Sequence, residues 1–391
     1  MSTDNERIMP VHPPAHDPQG YRDRVRGCLL GGALGDALGA PIEFESIGRI
    51  RRQHGPAGVT GLVPDWRGTV GLITDDTQMT LFTVEGLIRG GDVGALHHAY
   101  LRWLDTQRHP SPPPGSPGND PIRTGLLREQ RWLYSRRAPG NACLSGLRHR
   151  GAVAPAPFGE PGPVNPDSKG CGTVMRSAPF GLRARSPRSP RHAFELAAEC
   201  AQLTHGHPTG YLAAGAFAAI VHFLVTPAEQ TSPDMTEDMT EDEPLARAVR
   251  QATDLLETYP SHEETSRALH TAVSLAAKGD PSPERVESLG GAWVAEEALA
   301  IAVYCALTYP APGDVGRALL LAVNHSGDSD STGAVCGNLL GARHGEAALP
   351  TGWLAHLEGR DAVTELADDF AAWSAGDHEI TGAWLRKYPG A

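Results

Sequence analysis

No two of the six cysteines form a C-x-x-C pair: Cys28, Cys143, Cys171, Cys200, Cys305 and Cys336 are scattered along 391 residues. That spacing argues against a zinc site and predicts reduced, mostly buried thiols. A basic excess is missing too. The chain has 34 Lys and Arg against 46 Asp and Glu, a net charge of −12, the wrong sign for tracking nucleic-acid phosphates or lying on anionic lipid. Long apolar runs are also lacking. The longest, Tyr211 to Val225, has 15 residues and contains His222, too short to cross a bilayer. Met1 to Gly20 holds five prolines or glycines and no apolar segment of signal-peptide type, so a cytoplasmic location is expected. β-Branched runs of strand length are scarce, whereas Ala and Leu recur throughout, and the chain reads as mostly helical. No G-x-S-x-G elbow, H-E-x-x-H pair or G-K-[ST] ending is present, which removes serine hydrolases, zincins and Walker NTPases from consideration.

The organisation expected is a disordered, Pro-rich leader over residues 1–20 followed by one domain over 21–391, with no internal repeat or composition break. A helix begins near Tyr21 and keeps glycines at 31, 32, 35 and 39. Each costs about 1 kcal/mol relative to Ala in a helix interior, so this helix should pack tightly against neighbours or a ligand. Further helices are predicted over 77–88, 93–105, 194–202, 210–224, 244–257, 293–307 and 314–323, and from Gly333 to Gly345. Residues 108–120, with five prolines and two glycines, read as a loop. The acid-, Ser- and Thr-rich stretch 226–243 reads as a surface insertion.

Three clusters carry candidate chemistry. In Gly71-Leu-Ile-Thr74-Asp75-Asp76-Thr77, Thr74 is placed to cap a helix whose first turn carries two acids. Capping explains one acid; two, flanked by threonines, are also what a hard divalent cation selects. In Gly327-Asp328-Ser329-Asp330-Ser331-Thr332-Gly333 alternating acids lie on a glycine-bounded loop. An EF-hand is excluded because Leu339 stands at the twelfth position counted from Asp328, leaving a capped helix start or a cation site. Two such clusters, roughly 250 residues apart, point to a shared metal site. In Ser168-Lys169-Gly170-Cys171-Gly172-Thr173 the glycines permit backbone N–H groups to face a phosphate, or simply form a turn. Glu43 and His205 read either as helix-end residues or as site groups.

Taken in order, the segments GCLLGGALGDALGAPIEFE (27–45), TDDTQMT (74–80), APGNACLSGLR (138–148), KGCGTVMRSAP (169–179), LTHGHPTGY (203–211) and GDSDSTGAVCGNLLGARHG (327–345) resemble the ADP-ribosylglycohydrolase family. The resemblance implies a compact, all-helical, single-domain fold with two magnesium or manganese ions among its central helices. Carried over position by position, Thr74, Asp75 and Asp76 would hold one ion, Asp328 and Ser331 the other, and Asp330 would bridge them. Glu43 would lie over the metals and assist catalysis, with Asp330 the other proton-transfer candidate and Asp76 beside it. Gly140 and Asn141 would approach the distal ribose, Ser168, Lys169, Gly170 and Gly172 the diphosphate, and His205 the adenosine end. Cys171 stands where many relatives carry Asn, which would remove one side-chain hydrogen bond. No acid occurs from Arg131 to Leu144, unlike some arginine-directed members. The implied activity is metal-dependent hydrolysis of the bond between ADP-ribose and an acceptor. The alternatives are an ADP-ribose-binding module without catalysis and a two-metal phosphohydrolase acting on the diphosphate. A monomer is the expected state, and neither membrane nor nucleic acid is an expected partner.

Overall fold

In the computed structural model, which describes residues 18–65, 67–115, 120–148, 154–184, 189–226 and 243–390, the elements are helices joined by turns. Among the described residues no strand forms, and an isolated antiparallel bridge joins Gly170 to Val294. The first half contributes α1 (Pro18–Gly39), α2 (Ile47–His54), α3 (Asp75–Arg89), α4 (Val93–Arg108), α5 (Asn141–Gly146), α6 (Ala178–Gly181), α7 (Pro190–Ala201) and α8 (Pro208–Val225). The second contributes α9 (Pro244–Leu256), α10 (Glu263–Ala276), α11 (Pro283–Glu287), α12 (Ala295–Thr308), α13 (Val315–Val323), α14 (Ser329–His344), α15 (Thr351–Leu354), α16 (Arg360–Ala375) and α17 (Gly382–Lys387). One continuous core unites residues from Tyr21 to Tyr388, as the all-α, single-domain reading expects.

The centre of that core is a contact between helices from opposite ends of the chain. Glycines at 27, 31, 35 and 39 form a four-residue ladder along α1, and glycines at 333, 337, 341 and 345 form a second along and just past α14. The two run antiparallel. A Cβ on Gly35 would fall onto the carbonyl of Gly333, one on Gly337 onto that of Gly31, and one on Gly341 onto that of Gly27. Backbone therefore rests on backbone, a distance no other residue permits. Asn338 fills the step beside Gly32 and donates to the Cys28 carbonyl at 2.7 Å.

Around this pair stand helices that are buried along their whole length. Every residue of α3 is buried, and α3 packs on α4 and α16. Its acid Glu85 is fully buried and meets Arg102 at 2.7 Å, while Leu127 N–H donates to it at 3.1 Å. The apolar α8 is 18 residues long, three more than the sequence run suggested, and is 94% buried. Length does not keep it out of a membrane; its place in the core gives it another role, packed against α7, α9 and α6.

Several sequence boundaries need correction. α1 begins at Pro18, three residues inside the expected leader, in keeping with the preference of proline for the first helical turn. The rest of the leader lies outside the described residues. α3 starts at Asp75 rather than 77 because Thr74 is the N-cap, its hydroxyl accepting from Asp76 N–H at 3.3 Å. α4 runs to Arg108, the first residue of the expected loop. Of the expected insertion 226–243, Thr226 and Glu243 alone are described; Glu243 caps α9 by accepting from Ala246 N–H at 2.8 Å. Helices α2, α10 and α16 were not anticipated.

Substituting Gly35 by alanine should destabilise the fold by more than about 2 kcal/mol in urea unfolding, since the new methyl has only backbone to displace. Gly48→Ala, exposed on α2 with nothing nearer than Arg52 at 3.6 Å, should instead stabilise by up to about 1 kcal/mol. Equal effects at the two positions would show that the ladder is not under steric constraint.

Candidate active site

The end of α1 and the start of α14 meet where the ladder stops. Gly39 packs directly on Ser329 and Asp330, and the chain beyond it turns through a short 3-10 segment, Ala40–Ile42, that ends on Glu43. On the facing side Asp328 is the N-cap of α14, accepting from Ser331 N–H at 3.4 Å. The result is that oxygens of Glu43, Asp328 and Asp330 lie within 4.8 Å of one another, all buried. Asp76, in the first turn of α3, joins them: Ser331 Oγ donates to its Oδ2 at 2.8 Å. Asp75 is held from the other side by Gly140 N–H at 3.2 Å. Both acidic clusters of the sequence thus converge on one place.

The start of α3 is set by a residue the sequence reading did not assign. Asp36, fully buried on α1, accepts from Thr74 N–H at 3.0 Å, from Thr77 N–H at 3.1 Å and from the Thr77 hydroxyl. It faces the positive end of α3 and ties that helix to the ladder. Its only sequence signal was its position within the glycine-rich helix.

Concentrated acid in a dry place raises pKa values. Burial pushes the Asp36 carboxyl up to about 6. Burial, followed by the charges of Asp328, Asp75 and Asp36, pushes Glu43 up to about 9. Asp75, Asp76 and Asp330 also move up, burial leading in each. Among the described residues no Lys or Arg pairs with any of these six acids, counting Asp328. An all-oxygen set of carboxylates and hydroxyls without a protein counter-charge suits hard divalent cations. Thr74, Asp75, Asp76, Asp328, Asp330 and Ser331 fit that requirement.

Glu43, Asp75, Asp76, Asp328 and Asp330 form one wall of a cavity of about 680 Å³, which Gly140, Asn141, Ser168, Gly170, Gly172 and His205 also line. Lys169 does not. Its ammonium pairs with Glu264 at 2.5 Å and with Glu296, so the glycine loop has no cation of its own. Cys171 does not leave its position unpartnered as the comparison with asparagine suggested: its Sγ donates to Asp328 Oδ2 at 2.7 Å. Thr74 lies instead on an adjoining cavity of about 500 Å³, and Glu43, Phe44, Arg136 and Ala138 line both. Phe44 and Trp293 stack at 5.6 Å across the rim, both exposed; isolated aromatics carry no sequence signal for this. Ala138 has φ of +50°, an αL position in the turn that presents Gly140 to Asp75.

Fold and site together define an all-helical hydrolase-type scaffold with an oxygen-lined, cation-competent centre at a helix junction. The sequence profile of the ADP-ribosylglycohydrolase family matches residues 17–379, and the chain belongs to that family. Among curated relatives, the ADP-ribosyl-[dinitrogen reductase] glycohydrolase of Rhodospirillum rubrum is 27% identical over 344 residues, covering 86% of this chain and 90% of the relative. The ADP-ribosylhydrolase ARH3 of Danio rerio is 27% identical, covering 88% and 89%. The ADP-ribosylarginine hydrolase Tri1 of Pseudomonas putida (strain GB-1) is 25% identical, covering 90% and 79%. Among solved structures, an ADP-ribosylglycohydrolase-related protein complex has the same fold, with a TM-score of 0.58 at 23% identity over 91% of this chain and 99% of the other. The chain is accordingly a hydrolase of ADP-ribosyl bonds.

The raised acids make a stability prediction. Their folded pKa values exceed the unfolded ones, so their contribution is full below about pH 4 and is lost as pH climbs through about 6 for Asp36 and about 9 for Glu43. Chelator-treated protein should therefore melt at progressively lower temperature from pH 5 to pH 9, and magnesium should raise the melting point more at pH 8 than at pH 5. A melting point independent of pH, with or without the ion, would contradict this account.

Proposed function

We propose that the chain hydrolyses the glycosidic bond between ADP-ribose and a modified acceptor, with two divalent ions, magnesium or manganese, as cofactors. Thr74, Asp75 and Asp76 would hold one ion, Asp328 and Ser331 the other, with Asp330 between. The observation that carries this reading is the meeting of Glu43, Asp328 and Asp330 within 4.8 Å, with Ser331 bonded to Asp76, from segments that are remote in sequence. Bound there, the ions would supply Lewis-acid polarisation of ribose hydroxyls and of a water.

The remaining work falls to the chain's own groups. Breaking a bond at the ribose anomeric carbon develops oxocarbenium character, and a wall of carboxylates opposes that positive charge from fixed positions. Glu43 is the group we assign to proton transfer, with Asp330 and Asp76 orienting the reacting water from the α14 and α3 sides. Glu43 lines both cavities whereas Asp330 lines the larger alone, and a group serving the leaving acceptor must reach both sides of the scissile bond. The larger cavity, with Gly140, Asn141, Ser168, Gly170, Gly172 and His205, would take the ADP-ribosyl part. Its size lies in the usual range for a small-molecule site. The smaller, beyond Glu43, would take the acceptor. Lys169 acts at a distance in this scheme, anchoring the glycine loop to α10 and α12 through Glu264 and Glu296.

A cytoplasmic, monomeric enzyme acting on ADP-ribosylated substrates is the corresponding cellular reading. All six cysteines are free and five are buried, in keeping with a reducing compartment.

Asp328→Asn and Asp75→Asn should each lower ADP-ribose release from a panel of arginine-, serine- and acetyl-linked substrates by at least about a hundredfold, while the melting temperature of the chelated protein holds or rises. Calorimetric titration with magnesium should show weakened binding in both. Full turnover in either variant, or in excess chelator, would refute the metal-dependent reading; AMP and ribose phosphate as products would redirect it to the diphosphate.

A further inference from the structure

Among the described residues, one deeply buried cation has no carboxylate partner. Arg176 is 1% exposed, and among the described residues no Asp or Glu pairs with it. Its guanidinium lies 4.5 Å over the Tyr100 ring, and its Nη1 reaches Cys143 Sγ at 3.3 Å and Met79 Sδ at 3.6 Å. Its one strong polar contact is from Nη2 to Thr204 Oγ1, at 2.7 Å. Burying an unpaired charge costs several kcal/mol, and packing alone does not require one there.

The same Thr204 oxygen stands 2.7 Å from His205 Nδ1. Having accepted from Arg176, the hydroxyl has its own proton to place. It has two candidate acceptors, Nδ1 at 2.7 Å and the Ala201 carbonyl at 3.3 Å. The shorter contact and the guanidinium behind it favour donation to Nδ1, since an Nδ1–H would point its positive end toward the cation. With Nδ1 an acceptor, the imidazole carries its proton on Nε2. Burial and the Arg176 charge lower the His205 pKa to about 3, so the ring is neutral at physiological pH.

His205 is 2% exposed and lines the larger cavity, and its Nε2 has no hydrogen-bond partner among the described residues. The ring occupies the space that side chains at 170 and 172 would need: a Cβ on Gly170 would stand 3.1 Å from Nε2, and one on Gly172 2.9 Å from Cε1. These glycines therefore make room for a histidine as much as for a ligand. With Lys169 turned away, a fixed neutral donor is what this part of the cavity offers.

We propose that Arg176 is a positioning residue which, through Thr204, holds His205 as the Nε2–H tautomer, so that it donates a hydrogen bond to an acceptor atom of the bound ADP-ribosyl group beside Gly170 and Gly172. The identity of the ligand rests on the function proposed above; the relay does not. ADP-ribose is titrated by calorimetry, with magnesium, into wild-type protein, Thr204→Val, Thr204→Ser, His205→Phe and the double variant Thr204→Val/His205→Phe. Thr204→Val should bind about tenfold more weakly, the loss of one buried hydrogen bond, and Thr204→Ser should restore affinity. In the His205→Phe background Thr204→Val should add nothing, which a merely structural role for Thr204 would not produce. Undiminished binding by Thr204→Val, or additive losses in the double variant, would overturn the relay. Nitrogen-15 NMR of His205 supplies a readout independent of ligand: the Nε2–H form in wild type and a mixture of tautomers in Thr204→Val. An Nδ1–H ring in wild type overturns the proposal. The Nε2–H ring in wild type, its loss in Thr204→Val and no ADP-ribose binding by wild type would uphold the relay and overturn the functional reading instead.

Discussion

Contact between two helix backbones is the constraint on which the rest depends. Where α1 meets α14 no side chain separates them: Gly27, Gly31 and Gly35 face Gly341, Gly337 and Gly333. In isolation these glycines would weaken both helices, by about 1 kcal/mol each. Together they allow an approach that larger residues forbid, and they fix the rotation and register of the pair. Register matters because the functional groups lie just beyond the last rung. A slip of one residue would turn Asp328, Asp330 and Ser331 away from Glu43 and Asp76.

Asp36 extends the same control to a third helix. Its carboxylate accepts from the N–H of the N-cap Thr74 and from Thr77 N–H in the first turn of α3, sharing the capping of that helix with the Thr74 hydroxyl. The three helices that carry the acids are therefore registered to one another by backbone contact and by one buried aspartate, rather than by the acids themselves. That arrangement is needed because like charges cannot assemble their own scaffold. Burial first and mutual repulsion second raise Glu43 and Asp330, and the surrounding packing holds them together.

Much of this was legible in the sequence, for a physical reason. Adjacent acids at a helix start, flanked by hydroxyls, exceed what capping needs, and a helix that keeps glycines at 31, 32, 35 and 39 requires a close neighbour. Both signals are local, and both led to the correct elements. What stayed hidden depends on partners remote in the chain. Lys169 sits in a glycine loop suited to phosphate, yet Glu264 and Glu296 claim its ammonium, and nothing near residue 169 announces them. Cys171 gains its bond to Asp328 in the same way. Asp36 looked like an ordinary helix acid because its acceptor role exists only once α3 is docked. The rim pair Phe44 and Trp293 consists of single aromatics 249 positions apart; α2, by contrast, carried a readable signal in its Ser46 and Gly55 caps.

The ladder also sets an order of events during synthesis. Asp328 is synthesised 289 residues after Gly39, the end of α1. Until its partner arrives, α1 presents a bare strip of backbone, and Glu43 stands without Asp328 and Asp330. The site is thus absent from every nascent intermediate that has not reached residues 328–331. Its assembly closes a loop of about three hundred residues, the kind of pairing that forms slowly. Until α14 docks on α1, Glu43 and the pair Asp328 and Asp330 belong to separate segments.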